Sequence, residues 1–242
     1  MKHKLLFIFL FFSLLIHGQC FNCAKNFGGW NDDKVADLKK TNDAIYLIKN
    51  SGNFGIFAAV YKFDLNCNLI WKKEIDNFNI YASKLATDSQ GNIYLLVTWT
   101  SAHNVAGPFP IIFNGFPMYP GLNLFKFDKN GNLIWNKSLG RDSDYGMRNI
   151  FINNDIVYIT GTFHNSINID NQITLTNPIT NGHLAGPTVL FILKFSTGGN
   201  LLDAKQFGTG DEYLSAEIDR MQICIFPDIL IHIYMLIQIL IK

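Results

Sequence analysis

The sequence predicts an all-β chain built from tandem four-stranded units, and three observations lead to that fold class. Short runs of β-branched and aromatic residues recur along the chain, and several of them alternate with polar residues as half-buried strands do. Clusters of Asn, Asp and Gly separate these runs and favour tight turns. The runs and turns return in the same order, so the chain divides into similar units.

The clearest repeated element is a predicted hairpin that occurs three times. Its copies begin at Tyr61, Phe125 and Leu193. Each copy contains a first arm, a polar turn and a second arm. Lysine and asparagine occupy equivalent positions in every copy: Lys62, Lys126, Lys194, Asn68, Asn132 and Asn200.

The turn of the second copy, Asp128 to Asn132, has two interpretations. It contains the pair Asn130-Gly131, which predicts a tight hairpin turn with positive φ at both central residues. The spacing of Asp128, Asn130 and Asn132 also resembles a calcium loop. However, Gly131 comes too early and no acidic residue closes such a loop, so we favour the turn.

Two further elements repeat in phase with the hairpin. One is a strong strand pattern, in which Tyr94 and Tyr158 are equivalent, and the other is a connector rich in Gly and Asp. Each unit therefore reads as connector, short strand, turn, strong strand, variable loop and hairpin. About four strands per unit, repeated in tandem, predict β-propeller-like blades, and the chain holds an incomplete set of about three.

The pattern resembles the bacterial β-propeller repeat (SBBP-like) family of exported Bacteroidetes surface proteins. The resemblance lies in the connector at Phe207, the strand at Asn154 and the hairpin at Phe125, and it covers most of residues 24–219. It implies a binding or adhesion scaffold rather than a catalyst. Proteins of this kind often carry a C-terminal domain for type IX secretion, which this sequence does not display.

The N-terminus predicts a signal peptide over residues 1–19. Lys2 and Lys4 lie in a basic stretch, and Leu5 to Ile16 is an apolar run too short to span a bilayer comfortably. We place cleavage after Gln19 and expect a secreted or outer-surface protein. The alternative is lipidation at Cys20, although Gln19 is larger than the residue that usually precedes a lipidated cysteine.

The chain has four cysteines, namely Cys20, Cys23, Cys67 and Cys224. Cys20 and Cys23 have the spacing of a metal or redox pair, but no second pair of cysteines or histidines lies at matching spacing. We therefore expect no zinc site. A local disulfide and unpaired thiols both remain open for an exported chain.

The repeat pattern stops after Asp219, so we divide the mature chain into a partial propeller region, 20–219, and an aberrant tail, 220–242. One interpretation of the tail is a membrane anchor, but its polar residues would be costly in lipid. Shifting the reading frame by one base at the Arg220 codon permits a strand in phase with the earlier repeats. We therefore hypothesise a frameshift, which rereading the gene would test.

The sequence offers few residues for catalysis, cofactors or metals, and we assign none. The net charge of +1 and the absence of a basic block argue against nucleic-acid binding. No nucleophile elbow, phosphate loop or dinucleotide fingerprint is present. Histidines fall at different phases of the repeat, and acidic residues recur in the connectors as turn residues would: His103, His164, His183, Asp142, Asp144, Asp211 and Glu212.

The candidate ligand-binding loop lies between His103 and Gly121. It is rich in Pro and Gly, and its aromatic residues are Phe109, Phe113, Phe116 and Tyr119. Loops between blade strands vary while the scaffold stays constant, so recognition commonly resides there. The alternative is that Ile111 to Phe113 and Ile173 to Leu175 are blade strands, and that Trp71 and Trp135 pack one blade against the next.

These observations predict a non-enzymatic extracellular binding scaffold for an unknown protein or glycan. One alternative is the propeller part of an extracellular carbohydrate-active enzyme. A tail-anchored envelope protein is a further alternative if the C-terminal segment is genuine.

Overall fold

A computed structural model describes residues 33–52, 57–75, 80–99, 111–140, 149–178, 189–207, 213–219, 222–228 and 237–239. The predicted signal peptide, Cys20, Cys23 and Phe109 lie outside these residues. The described residues form strands and turns. Among them, no helix has the length and apolar character needed to cross a membrane.

Three four-stranded sheets follow one another along the chain. The first contains β1 (Asp33–Lys40), β2 (Ile45–Ser51), β3 (Phe57–Phe63) and β4 (Leu69–Ile75). The second contains β5 (Ile80–Thr87), β6 (Ile93–Trp99), β9 (Gly121–Phe127) and β10 (Leu133–Gly140). The third contains β11 (Asn149–Asn153), β12 (Ile156–Phe163), β15 (Val189–Ser196) and β16 (Leu201–Phe207).

The second and third sheets each have one hairpin inserted between their second and third strands. The first hairpin, β7 (Ile111–Phe113) and β8 (Phe116–Met118), belongs to the second sheet's connection. The second hairpin, β13 (Ser166–Ile169) and β14 (Ile173–Thr176), belongs to the third sheet's connection. The predicted strands at Ile111 and Ile173 therefore exist, but they form separate two-stranded sheets instead of joining the blades.

Each four-stranded sheet is an antiparallel meander whose strands pair in chain order. The first strands of consecutive sheets lie side by side, since β1 contacts β5 and β5 contacts β11. That arrangement is the one found at the inner end of propeller blades. The structure thus confirms the predicted fold class, which is all-β with propeller-like tandem four-stranded blades.

A five-residue turn recurs between strands of these sheets and explains the recurring Asp and Asn spacing. At Asp128, the backbone N–H donates to the Asn132 carbonyl over 2.8 Å, and the Asp128 carbonyl accepts from the Gly131 N–H over 2.9 Å. The Asp128 carboxylate accepts from the backbone N–H groups of Asn130 and Asn132, each over 2.8 Å. The carboxylate is therefore a cap for the turn, which supports the turn interpretation over a calcium loop.

The type of this turn differs from the predicted one. Positive φ occurs at Gly131 (81°), but Asn130 is not among the residues with positive φ. The expectation of positive φ at both residues is therefore wrong. The bonding pattern is that of a three-residue hairpin loop with a glycine bulge, in which a single left-handed residue closes the turn. Paired positive φ occurs instead at Asn154 and Asp155 (49° and 59°) between β11 and β12.

The hydrophobic core lies between the sheets, which pack face to face. One cluster joins the first and second sheets and includes Ile48, Val60, Leu95 and Phe125, all at most 2% exposed. Asn50 adds a polar link there, since its amide exchanges hydrogen bonds of 2.9 and 3.1 Å with the backbone of Ala82. Each sheet therefore buries a face only because a neighbour covers it.

A second cluster joins the second and third sheets. Leu96 and Leu124 of the second sheet meet Ile159, Leu193 and other residues of the third. We call the face that each sheet turns toward the following sheet its forward face. Side chains alternate between the two faces along each strand, so one strand contributes to both clusters.

The first and second sheets are also joined by a polar and aromatic contact. The Lys62 ammonium lies 5.4 Å from the centroid of the Tyr46 ring and donates to the carbonyl of Lys129 over 3.1 Å. The Trp71 indole N–H donates to the same carbonyl over 3.2 Å. A Cβ on Gly131 would lie 3.2 Å from the Trp71 ring, so the turn packs directly on the indole.

The second and third sheets repeat this contact with equivalent residues. The Lys126 ammonium lies 5.2 Å from the centroid of the Tyr94 ring and donates to the carbonyl of Thr197 over 2.8 Å. Gly199 packs on the Trp135 ring, where a Cβ would come within 3.1 Å. We call each lysine, tyrosine and tryptophan set an inter-sheet clamp. The clamps confirm that Trp71 and Trp135 pack one blade against the next.

A three-stranded sheet follows the third blade. It contains β17 (Tyr213–Asp219), β18 (Gln222–Asp228) and β19 (Ile237–Ile239), in that order. Strand β17 lies near β12 of the third sheet. The forward face of the third sheet buries Tyr158, Leu190 and Ile192. The frameshift hypothesis for residues 220–242 stays a prediction.

Candidate ligand-binding groove

A groove of about 410 Å³ lies at the outer strand of the second sheet, between the two inserted hairpins. Three segments line it, namely the end of the β7–β8 hairpin, strand β10 and the β13–β14 hairpin. The lining residues are Pro117, Tyr119, Asn136, Ser138, Gly140, Asn168, Asp170 and Asn171. We call this site the hairpin groove. Its volume lies within the range of small-molecule sites.

The β13–β14 hairpin is held against the second sheet by its turn. The backbone N–H of Asp170 donates to the carbonyl of Ser138 over 2.9 Å. The Asp170 carboxylate also accepts from the Lys137 ammonium over 2.9 Å. At the base of the hairpin, the Gln206 amide donates to the Thr176 carbonyl over 3.0 Å. One wall of the groove is therefore anchored at both ends.

Apolar packing also holds this hairpin. Ile167 and Ile169 are fully buried in the cluster between the second and third sheets, and Leu175 is buried with them. Alternation along β13 places these residues inward, and Asn168 between them is exposed. The same alternation that buries the hairpin therefore presents Asn168 to the groove.

The opposite wall is formed where the β7–β8 hairpin returns to β9. Met118 is fully buried in the cluster between the first and second sheets. The Asn136 amide of β10 donates to the Pro117 carbonyl over 2.8 Å. Asn123, which is 1% exposed, donates to the carbonyls of Tyr119 and Gly121 over 2.9 and 3.0 Å. Asn123 is thus a positioning residue for Tyr119.

The polar groups of the groove carry no net charge. Asp170 is its charged lining residue, and Lys137 forms an ion pair with it. Neutral donors and acceptors come from Asn136, Ser138, Asn168 and Asn171. The aromatic residue of the groove is Tyr119, which is 42% exposed. The groove therefore offers hydrogen bonds and one aromatic surface to a ligand without a strong electrostatic preference.

The predicted aromatic loop residues separate in the structure. Tyr119 lines the hairpin groove. Phe113 packs toward the core with its ring centroid 5.5 Å from that of Phe125. Phe116 is half-buried on β8 and is not among the groove-lining residues, and Phe109 lies outside the described residues.

Sequence reasoning missed the remaining residues of the groove. Asn136 and Ser138 lie on a strand that the repeat already explained, and Asp170 and Asn171 lie in an ordinary hairpin turn. A usable signal was present, since Asp170 and Asn171 both have positive φ (49° and 57°), and such turns favour Asn and Asp. That signal predicts a turn, but not what the turn faces.

The described residues contain no group of three or more His, Cys, Asp or Glu side chains able to hold a metal ion. His103, His183 and the connector acids Asp142, Asp144, Asp211 and Glu212 lie outside the described residues. His164 is half-buried, and its carbonyl accepts from the Asn177 amide over 2.6 Å.

The buried tyrosines of the clamps are held in the protonated form. Burial, followed by the charges of Asp43 and Asp88, raises the pKa of Tyr46 to about 12. Burial also raises the pKa of Tyr94, and the nearby Asp88 carboxylate adds to the effect by accepting the tyrosine O–H over 3.2 Å. Both phenols therefore stay protonated at neutral pH.

Cys67 occupies the turn position that glycine holds in other units, with φ at 62°. It is disulfide-bonded. The other three cysteines lie outside the described side chains, so the predicted choice between a local disulfide and unpaired thiols stays open for Cys20 and Cys23.

Comparison with known proteins gives a distant likeness in fold. No family model matches the chain, and no curated protein matches it. Among solved structures, the chain is similar to a GH43 endo-arabinanase from Bacillus licheniformis, with a TM-score of 0.38 and 10% identity over 84% of this chain and 71% of the arabinanase chain. We draw no ligand or activity from this likeness, and the resemblance to the bacterial β-propeller repeat family stays a prediction.

Proposed function

We propose that this chain is an exported, non-enzymatic binding module that uses a propeller-like scaffold to present the hairpin groove to a ligand. The observation that carries the proposal is the groove itself, which is framed by two insertions and a blade edge. The blades repeat a common framework, whereas the insertions differ between units. Recognition sites are commonly built on such variable connections.

The rigidity of the groove supports a binding role. Both hairpins are fastened to β10, one through Asp170 and Ser138 and the other through Pro117 and Asn136. A preformed site avoids the entropy cost of ordering its walls when the ligand binds. Packing of the hairpins into the two hydrophobic clusters also holds the groove walls in place before a ligand binds.

Export to an oxidising compartment, either the medium or the outer cell surface, is supported by two features. The N-terminal segment has the basic and apolar order of a signal peptide. Cys67 is disulfide-bonded, and disulfides persist mainly outside the cytosol.

Expression of the full chain in a Gram-negative host, followed by fractionation and surface proteolysis, tests the export part of the proposal. We expect the mature chain outside the cytoplasm and accessible to added protease. An assay with chromogenic glycosides tests the non-enzymatic part, and we expect no turnover. Retention of the chain in the cytoplasm contradicts export, and turnover that purifies with the chain contradicts a non-enzymatic role.

A further inference from the structure

We propose that the ligand of the hairpin groove is a neutral oligosaccharide, whose ring stacks on Tyr119 and whose hydroxyl groups bond to the amides of β10 and the β13–β14 turn. This inference rests on the proposed binding function and names the class of its ligand. It is carried by the combination of an exposed aromatic ring, uncharged hydrogen-bonding groups and a neutralised carboxylate in one preformed groove.

The charge of the groove selects against ionic ligands. Lys137 already pairs with Asp170 over 2.9 Å, so neither group has a full charge to offer. A phosphate or sulfate would meet the Asp170 carboxylate, which lines the groove. A cation would have to compete with the Lys137 ammonium for that carboxylate. Repulsion of one charged group by another is an effective way to exclude a ligand. A neutral ligand meets neither penalty.

The unused hydrogen-bonding groups match a ligand rich in hydroxyls. The side-chain nitrogen of Asn136 donates to the Pro117 carbonyl. Within the described part of the chain, no protein group donates to the side-chain carbonyl of Asn136. The Ser138 hydroxyl and the Asn171 side-chain amide likewise have no partner among the described residues. Together they offer donors and acceptors on one surface, and a sugar hydroxyl can serve as either.

The aromatic wall supplies the other half of sugar recognition. Tyr119 is 42% exposed beside the exposed Pro117, and the hydrogen bond from the Asn123 side-chain amide to the Tyr119 carbonyl holds the residue in place. Sugar rings have an apolar C–H face and a polar edge. Tyrosine pairs an apolar ring with a polar hydroxyl, so the groove presents complementary surfaces to both parts of the sugar.

The test begins with the full chain on an array of neutral, sialylated and sulfated oligosaccharides, and calorimetry then measures the neutral glycans that bind. Tyr119→Ala should weaken binding about tenfold or more, because it removes the stacking surface. Tyr81→Ala is the matched control, since Tyr81 is 38% exposed on β5 and does not line the groove. It should leave binding unchanged.

A second variant removes a hydrogen-bonding group without straining the backbone. Asn171 has φ at 57°, which glycine adopts readily. Asn171→Gly should therefore keep the turn and weaken glycan binding about threefold to tenfold. Asn154→Gly is its control, because Asn154 has φ at 49° in the β11–β12 turn and does not line the groove.

The outcomes separate this inference from the proposed function. Binding to no neutral glycan, binding unaffected by Tyr119→Ala, or a preference for sulfated or sialylated glycans would overturn the inference. Groove-dependent binding to a protein would overturn the inference and leave the binding function intact. Groove-dependent binding accompanied by cleavage of the glycan would support the inference and overturn the non-enzymatic function.

Discussion

The second and third sheets differ in one side chain at an equivalent position of their outer strands. In the second sheet, Trp135 of β10 completes the clamp and packs on Gly199. In the third sheet, Asp203 of β16 stands at the equivalent position. Its carboxylate lies 3.6 Å from the Lys194 ammonium and 3.7 Å from that of Lys205.

Among the described residues, equivalent lysines therefore have different partners. The lysines of the first two clamps reach across to a turn carbonyl of the next sheet, at Lys129 and Thr197. Lys194 still lies over its tyrosine, 5.9 Å from the Tyr158 centroid, but its charged partner is on its own sheet. An indole favours burial against another sheet, whereas a carboxylate favours a surface pair.

The largest expected effect on stability comes from Trp135→Ala. It should lower the free energy of unfolding by about 2–4 kcal/mol, because a half-buried indole leaves a void against Gly199 and Tyr94. Asp203→Ala should cost about 1 kcal/mol or less, because its ion pairs are partly exposed. Urea denaturation followed by far-UV circular dichroism measures both. Equal losses for the two variants would contradict the contrast between the clamps.

Glycine substitutions isolate the contact between turn and indole. Gly199→Ala adds a Cβ 3.1 Å from the Trp135 ring at a φ of 86°, and Gly115→Ala adds one at the same φ with nothing within 4 Å. Backbone strain of about 1 kcal/mol is common to both. Crowding should raise the loss for Gly199→Ala to about 2–4 kcal/mol. If both variants melt alike, the indole does not constrain the turn.

The smallest expected effect is on stability at acid pH. It distinguishes the two turns that the clamps contact, at Asp128 and at Ser196. Burial acts to raise the pKa of Asp128, but hydrogen bonds from Asn132, Asn130 and Gly131 outweigh it and hold the pKa below its ordinary value. Because the folded pKa is the lower one, the carboxylate stabilises the fold above the unfolded value of about 3.9 and loses this effect as the pH falls through the folded value.

The turn at Ser196 has no carboxylate, so it serves as the reference for that experiment. Its serine hydroxyl accepts from the Asn200 N–H over 3.1 Å. Asp128→Ser should therefore flatten the decline in the urea midpoint below about pH 4 by a small amount, since solvent screens this turn. Ser196→Ala should leave the pH dependence as it is. An unchanged slope for Asp128→Ser would show that other carboxylates dominate acid unfolding.

The local elements followed directly from the sequence. Alternation predicted the blade strands, and the recurring Asp, Gly and Asn residues predicted the turn at Asp128, although its single left-handed residue was not expected. The pairing of Trp71 and Trp135 with neighbouring blades was also predictable, because a large aromatic at a fixed repeat position needs a fixed partner.

The groove was only partly accessible to the same reasoning. Of four aromatic candidates, Tyr119 lines the groove and Phe113 packs toward the core. Composition alone does not predict which of these two residues is buried. Which side chain is buried depends on how the β7–β8 hairpin lies against β9, and that is settled by long-range packing.

The sequence by itself determined the strand periodicity, the turn chemistry and the order of the blades, because these depend on side chains close together in the chain. Only the tertiary structure decided that Tyr119 and Asp170 line the same groove beside β10. They belong to insertions in different blades, and their meeting depends on the packing of whole sheets. The same packing turns Lys126 toward a neighbouring carbonyl and leaves Lys194 beside Asp203.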